Sequence, residues 1–104
     1  MTNMNDRERG YEAKFALDSE QEFKAAARRN RMLGRWAGEK LGLSGQALDD
    51  YCGAVVRSDF AEAGDEDVLR KVAADLQGKA EAAEIRAQMD ALLLTARQQV
   101  ASGS

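Results

Sequence analysis

Apolar positions along the chain fall into four stretches of helical spacing separated by glycine-marked breaks. In the first, Phe23, Ala26, Ala27, Asn30, Leu33, Gly34, Ala37 and Leu41 form one stripe at the spacing of an α-helix. Ser19 and Glu22 read as a capping box, the hydroxyl and the carboxylate each satisfying an otherwise unpaired amide at the helix start. Gly42 and Gly45 bracket Leu43 and Ser44, so this helix stops near Leu41 and the next starts at Ser44. The second stripe is Leu48, Tyr51, Cys52, Val55, Val56 and Phe60. Gly64 ends that element. Asp65, Glu66 and Asp67 then crowd a helix N-terminus, where the backbone dipole favours carboxylates. Val68, Leu69, Val72 and Leu76 line a short third helix closed by Gly78. The fourth runs from Ala82 to Val100, with Ile85, Met89, Leu92, Leu93, Ala96 and Val100 on one face. Ala80, Glu81 and Ala82 offer it no good N-cap, which predicts a frayed start. The pattern is an all-α four-helix bundle over residues 19–104, fraying after about residue 100.

Residues 1–18 break the pattern. Asn5 and Glu8 are spaced as a capping box, and Tyr11 and Phe15 lie one helical turn apart. Gly10, however, costs about 1 kcal/mol inside a helix, and a segment of about 13 residues is marginal alone. Two aromatics, Leu17 and Met4 are too little for a second core. The segment reads as a flexible N-terminal arm with helical tendency, or as a frayed terminus.

Composition narrows the chemistry. The 104 residues suffice for one domain, and 19 of them are alanine, while only eight are β-branched and none is proline. The absence of histidine removes a His general base, a His-activated nucleophile and a His metal ligand. One cysteine, Cys52, excludes an internal disulfide and a multi-thiolate zinc site, and its place on the second stripe reads as a core thiol. No enzymatic constellation emerges, and no catalytic residue is assigned. The start of the chain lacks the apolar stretch of a signal peptide, and no run is long enough to span a membrane, so a cytoplasmic location is expected.

Charge matters by segment more than in sum. The net charge is −3, yet residues 19–43 carry +3 and residues 44–78 carry −5. Lys24, Arg28, Arg31 and Arg35 fall opposite the apolar stripe, as a solvated face or a seat for an anion. Nonspecific nucleic-acid binding through this face is the weakest reading, because the chain as a whole is acidic.

Gly34 and Gly38 followed by Lys40 superficially match a phosphate-binding loop, but the glycines are one residue too close and Leu41 follows the lysine. Gly34, Gly38 and Gly42 fit better as a ridge for close helix packing. Arg29, Met32, Trp36 and Lys40 cluster along one border of the stripe. An aromatic plane between two cations can stack a purine and hold phosphates, or simply pack under long aliphatic stems. Asn30 sits in mid-stripe, where a buried amide needs partners from loop backbone or a ligand. Arg29, Asn30, Trp36 and Lys40 are thus the candidate nucleotide-binding residues. The run Asp59, Glu62, Asp65, Glu66 and Asp67 lacks the ligand spacing of a calcium loop and reads as helix capping, so no metal site is assigned.

Several stretches together resemble a known family. They are Asp6-Arg7-Glu8-Arg9, Tyr11 to Ala16, Ala27-Arg28-Arg29-Asn30, Gly34-Arg35-Trp36-Ala37 and Glu62 to Val68, followed by Ile85-Arg86-Ala87 and Met89-Asp90. From about Asp6 to Leu93 the chain resembles the zeta subunit of alphaproteobacterial F-type ATP synthase. That resemblance implies a four-helix bundle and an inhibitor of ATP hydrolysis by the catalytic head. It implies that residues 1–18 are the inhibitory arm, flexible when the protein is free and helical once inside a catalytic α/β interface beside the central stalk. Asp6, Arg7, Glu8, Arg9, Tyr11, Lys14 and Phe15 are then the expected partner-binding residues. It implies further that the bundle binds ADP or ATP as a regulatory ligand, with no required cofactor, and that the protein is peripheral to the inner membrane through the synthase. The rival reading is a nucleotide-sensing bundle acting on another partner.

Overall fold

The structure is a computed structural model that describes residues 17–60 and 65–103. Four α-helices are present among the described residues: α1 (Ser19–Lys40), α2 (Gly45–Arg57), α3 (Glu66–Asp75) and α4 (Ala82–Ala101). A single 3₁₀ turn, Ser58–Phe60, follows α2 directly. No strand occurs among the described residues, and the four-helix bundle expected from the periodicity is the fold. Helix α1 is the central element, packed chiefly against α2 and α4, while the short α3 closes the far side against α2 and α4.

The first cap differs from expectation by one residue. Asp18, not Ser19, is the N-cap: its Oδ1 accepts from the Gln21 amide at 2.8 Å, and Gln21 Oε1 accepts from the Asp18 amide at 3.1 Å. Ser19–Glu22 and Asp18–Gln21 are two overlapping frames of the same motif, and aspartate caps as well as serine. The outer end of α1 is well made. Gly42, at φ +83°, is in the left-handed region that glycine enters without steric cost. That conformation lets the Leu43 and Gly42 amides return to the carbonyls of Gly38 and Glu39, at 2.9 and 3.0 Å, satisfying the end of the helix. Helix α2 is preceded by Ser44 as expected, although the serine side chain makes no capping bond.

Leu33 and Ala37 of α1, Val55 of α2, Val68 and Val72 of α3, Leu76, and Ile85 and Met89 of α4 form one buried cluster. Cys52 is buried beside it as a core thiol. One position in the expected stripe of α1 is corrected, and two residues outside it are buried. Phe23 is 62% exposed, whereas Ala25 and Arg29 are buried in its stead. The inward face at the start of α1 is rotated relative to the apolar pattern, because a buried arginine counts as polar in any periodicity. The small-residue ridge does serve packing: a β-carbon built at Gly34 falls 2.8 Å from the Cys52 α-carbon.

Candidate functional site

The singled-out residues of α1 divide into two clusters facing different elements. Arg29 is 1% exposed, not a border residue as the helical spacing placed it. Its guanidinium grips Asp65 with both terminal nitrogens, Nη2 to Oδ1 at 2.8 Å and Nη1 to Oδ2 at 3.4 Å. Its Nε donates to Asn30 Oδ1 at 2.6 Å, and Asn30 Nδ2 donates in turn to Asp59 Oδ2 at 3.1 Å. The buried amide of Asn30 is therefore satisfied by two side chains rather than by loop backbone. A buried guanidinium needs this fork-like pairing to offset its desolvation. The chain leaving Asp59 and returning at Asp65 is thus held at both ends by adjacent residues of α1.

Trp36 and Lys40 face the other way. The Lys40 ammonium stands 5.2 Å from the Trp36 ring centroid and 3.8 Å from Glu84 Oε2 at the start of α4. A similar staple joins α2 to α3. The Tyr51 hydroxyl donates to Asp75 Oδ2 at 2.8 Å, and Lys71 lies 3.0 Å from the same oxygen and 5.3 Å from the Tyr51 ring. Burial, and then the hydrogen bond to Asp75, push the Tyr51 phenol well above its ordinary pKa.

The acidic run is also corrected in part. Asp65 occupies the N-cap position of α3 but makes no side-chain cap bond, its carboxylate being committed to Arg29. Glu66 pairs with Arg86 at 2.8 Å, and Asp67 pairs with Arg70. Among the described residues no three acidic or thiol groups converge as a metal site. The +3 charge of residues 19–43 against the −5 charge of residues 44–78 favours contact between the two segments but does not single out Arg29 and Asp65.

At its other end α1 meets the last turns of α4. Glu22 Oε1 accepts from Arg97 Nε at 3.2 Å, and Arg28 Nη1 donates to Gln99 Oε1 at 3.0 Å, so Arg28 is partly buried rather than on an open basic face. Lys24, Arg31 and Arg35 are exposed as expected. Beside these contacts a groove of about 500 Å³ opens between Phe23, Lys24, Ala27 and Arg28 of α1 and Val100 of α4. Nothing in the sequence marked it, since it is made by two segments at opposite ends of the chain. The expected partner-binding residues Asp6, Arg7, Glu8, Arg9, Tyr11, Lys14 and Phe15 lie outside the described residues.

A family model described as ATPase inhibitor subunit zeta matches residues 1–99. The chain belongs to that family. A solved protein, determined by NMR in solution, is 47% identical to this zeta-family chain with a TM-score of 0.73, covering 80% of this chain and 98% of its own. No curated protein matches. A family of inhibitor subunits is regulatory rather than catalytic and supports a role at ATP synthase. No helix among the described residues is long and apolar enough to cross a membrane.

Proposed function

We propose that the chain inhibits ATP hydrolysis by the catalytic head of F-type ATP synthase, with its N-terminal segment as the inhibitory element. The observation that carries this reading is the extent of the family match, which begins at residue 1 and takes in both that segment and the bundle. The cap that Asp18 places on α1 supports a division between arm and bundle near this residue. The arm folds on entering a catalytic α/β interface beside the central stalk. Tyr11 and Phe15, one turn apart, wedge into an apolar pocket, while Asp6, Arg7, Glu8, Arg9 and Lys14 make the polar contacts. A wedge there stops the head from cycling through its conformations. The protein is then cytoplasmic and attached to the inner membrane through the synthase.

Coupled folding carries an ordering cost of about 2–5 kcal/mol, so potency follows the helix tendency of the arm. Gly10→Ala recovers roughly 1 kcal/mol of that cost and should lower the half-inhibiting concentration about fivefold. Phe15→Ala removes an aromatic anchor and should raise it roughly thirtyfold. Titration of ATP hydrolysis by the cognate head with each variant checks both. Equal potency of all three proteins would contradict the wedge.

ADP or ATP as a regulatory ligand is a second reading, supported at one end of α1 only. Trp36 offers an aromatic plane with Lys40 beside it, whereas Arg29 and Asn30 are spent on Asp65 and Asp59. A nucleotide stacked on Trp36 should shift its indole resonance during an ADP titration and leave Asn30 in place. An unmoved indole at millimolar ADP removes this ligand from the account.

A further inference from the structure

Helix α4 has apolar residues on two sides, and the bundle uses one of them. Ile85, Met89 and Ala96 turn into the core and are buried. On the opposite side, at about 100° per residue, Ala83, Ala87, Ala91, Leu94, Gln98 and Ala101 share one sector, and all six are exposed. Leu94 is 42% exposed, one of two large apolar side chains left outside among the described residues. An apolar stripe on a second side of a helix calls for a second neighbour. This stripe has relief, since one leucine stands between alanines. Its border is charged as well: Asp90 and Arg97 lie on the same flank, two turns apart.

We infer that this face pairs with a second copy of the chain, α4 against α4, antiparallel about a two-fold axis near Leu94. A two-fold contact uses the same patch on both copies, so the patch must complement itself. The α4 face does. With Leu94 set against Leu94 at the axis, Ala87 comes level with Ala101, and Asp90 falls within one residue of Arg97, each of these twice. The alanines at both ends let the two backbones close up around the leucines. Antiparallel two-fold pairing brings like flanks together, so Asp90 of each copy meets Arg97 of the other. A parallel pairing turns those two side chains to opposite sides, and charge therefore selects the antiparallel one. Glu22 engages the Nε of Arg97 at 3.2 Å, and a guanidinium has two further nitrogens with which to hold a second carboxylate. From Ala87 to Ala101 the strip is about 21 Å long and about 11 Å wide, on the order of 250 Å² per copy. Stable complexes bury roughly 800 Å² per partner, so this pair is weak and reversible, half-associated at roughly 0.1–1 mM.

Amide spectra of the full-length chain recorded from about 0.03 to about 3 mM test the pairing. It predicts shifts that grow with concentration at Ala87, Ala91, Leu94, Gln98 and Ala101 and leave the α2 amides in place. Spectra that do not change with concentration overturn it, as do shifts confined to Phe23 to Arg28, which place the contact in the groove at the other face. Leu94→Asp should weaken association at least about tenfold without moving the urea midpoint, because Leu94 is outside the core. Undiminished association of that variant also overturns the pairing. The register has its own readout. Asp90→Arg sets four cations against one another across the axis, and Arg97→Asp sets four carboxylates, so each variant alone should associate about tenfold more weakly. Mixed in equal amounts, the two should pair at least as tightly as the unaltered chain. A mixture no more associated than either variant alone contradicts the antiparallel register. Asp90→Arg and Leu94→Asp, both at exposed positions, keep the test decisive if Arg97→Asp, which also loses Glu22, does not fold.

Discussion

Gly34→Ala should destabilise the bundle by about 2 kcal/mol, against the general rule that replacing a helical glycine by alanine stabilises. The added β-carbon would sit 2.8 Å from the α-carbon of Cys52 and 3.4 Å from its Cβ and Sγ. A backbone atom cannot rotate aside, so α2 as a whole must move away from α1. Helix propensity returns about 1 kcal/mol, and the overpacking cost of roughly 3 kcal/mol exceeds it. Gly38 gives the internal control. Its β-carbon would collide with the Leu48 Cδ1 methyl, the end of a side chain that has other rotamers. Gly38→Ala should therefore cost under about 1 kcal/mol. Urea midpoints at unchanged m-value check the order. A Gly34→Ala protein as stable as Gly38→Ala would show that the α1–α2 approach is looser than the structure has it.

Asp65→Ala should cost about 2 kcal/mol, because it leaves the Arg29 guanidinium buried with Asn30 as its one partner among the described residues. Loss of a fully buried partner costs 3–5 kcal/mol in general, and the 42% exposure of the Asp65 side chain lowers that figure, since water can enter where the carboxylate stood. Arg29→Met keeps most of the volume and leaves behind an aspartate that water reaches, so it should cost about 1 kcal/mol. The double variant should be more stable than Asp65→Ala alone, the mark of a penalty that comes from an orphaned charge. Denaturation of the three proteins decides it. A double variant less stable than either single one would mean that packing, not pairing, sets the cost.

The helices and their order were legible in the sequence because glycine punctuation and apolar spacing act locally. Ends near Leu41 and Gly78, and starts near Ser44, Glu66 and Ala82, follow from residues within a turn of each boundary. What pattern reading placed wrongly depends on partners far along the chain. Arg29 is inside because Asp65 arrives from 36 residues away, and Asp65 is an ion-pair partner rather than a cap for the same reason. Phe23 is outside because no element among the described residues covers it, which the periodicity of α1 alone does not reveal. Of the two proposed sites, the nucleotide cluster depended on a helical wheel that the Arg29–Asp65 pair divides in two. The expected arm residues, Asp6 to Phe15, were legible only by resemblance, since a short polar segment with two aromatics has no pattern of its own.

The most direct test of the inhibitory account is ATP hydrolysis by the purified catalytic head of the cognate synthase, titrated with the full-length chain and with a version lacking residues 1–16. The cut keeps Leu17 and the Asp18 cap, so that loss of activity is not loss of α1. The account predicts complete inhibition by the full-length chain and at least a hundredfold weaker inhibition, on the order of 3 kcal/mol, by the shortened one. Equal inhibition by both would place the inhibitory element in the bundle and contradict the account.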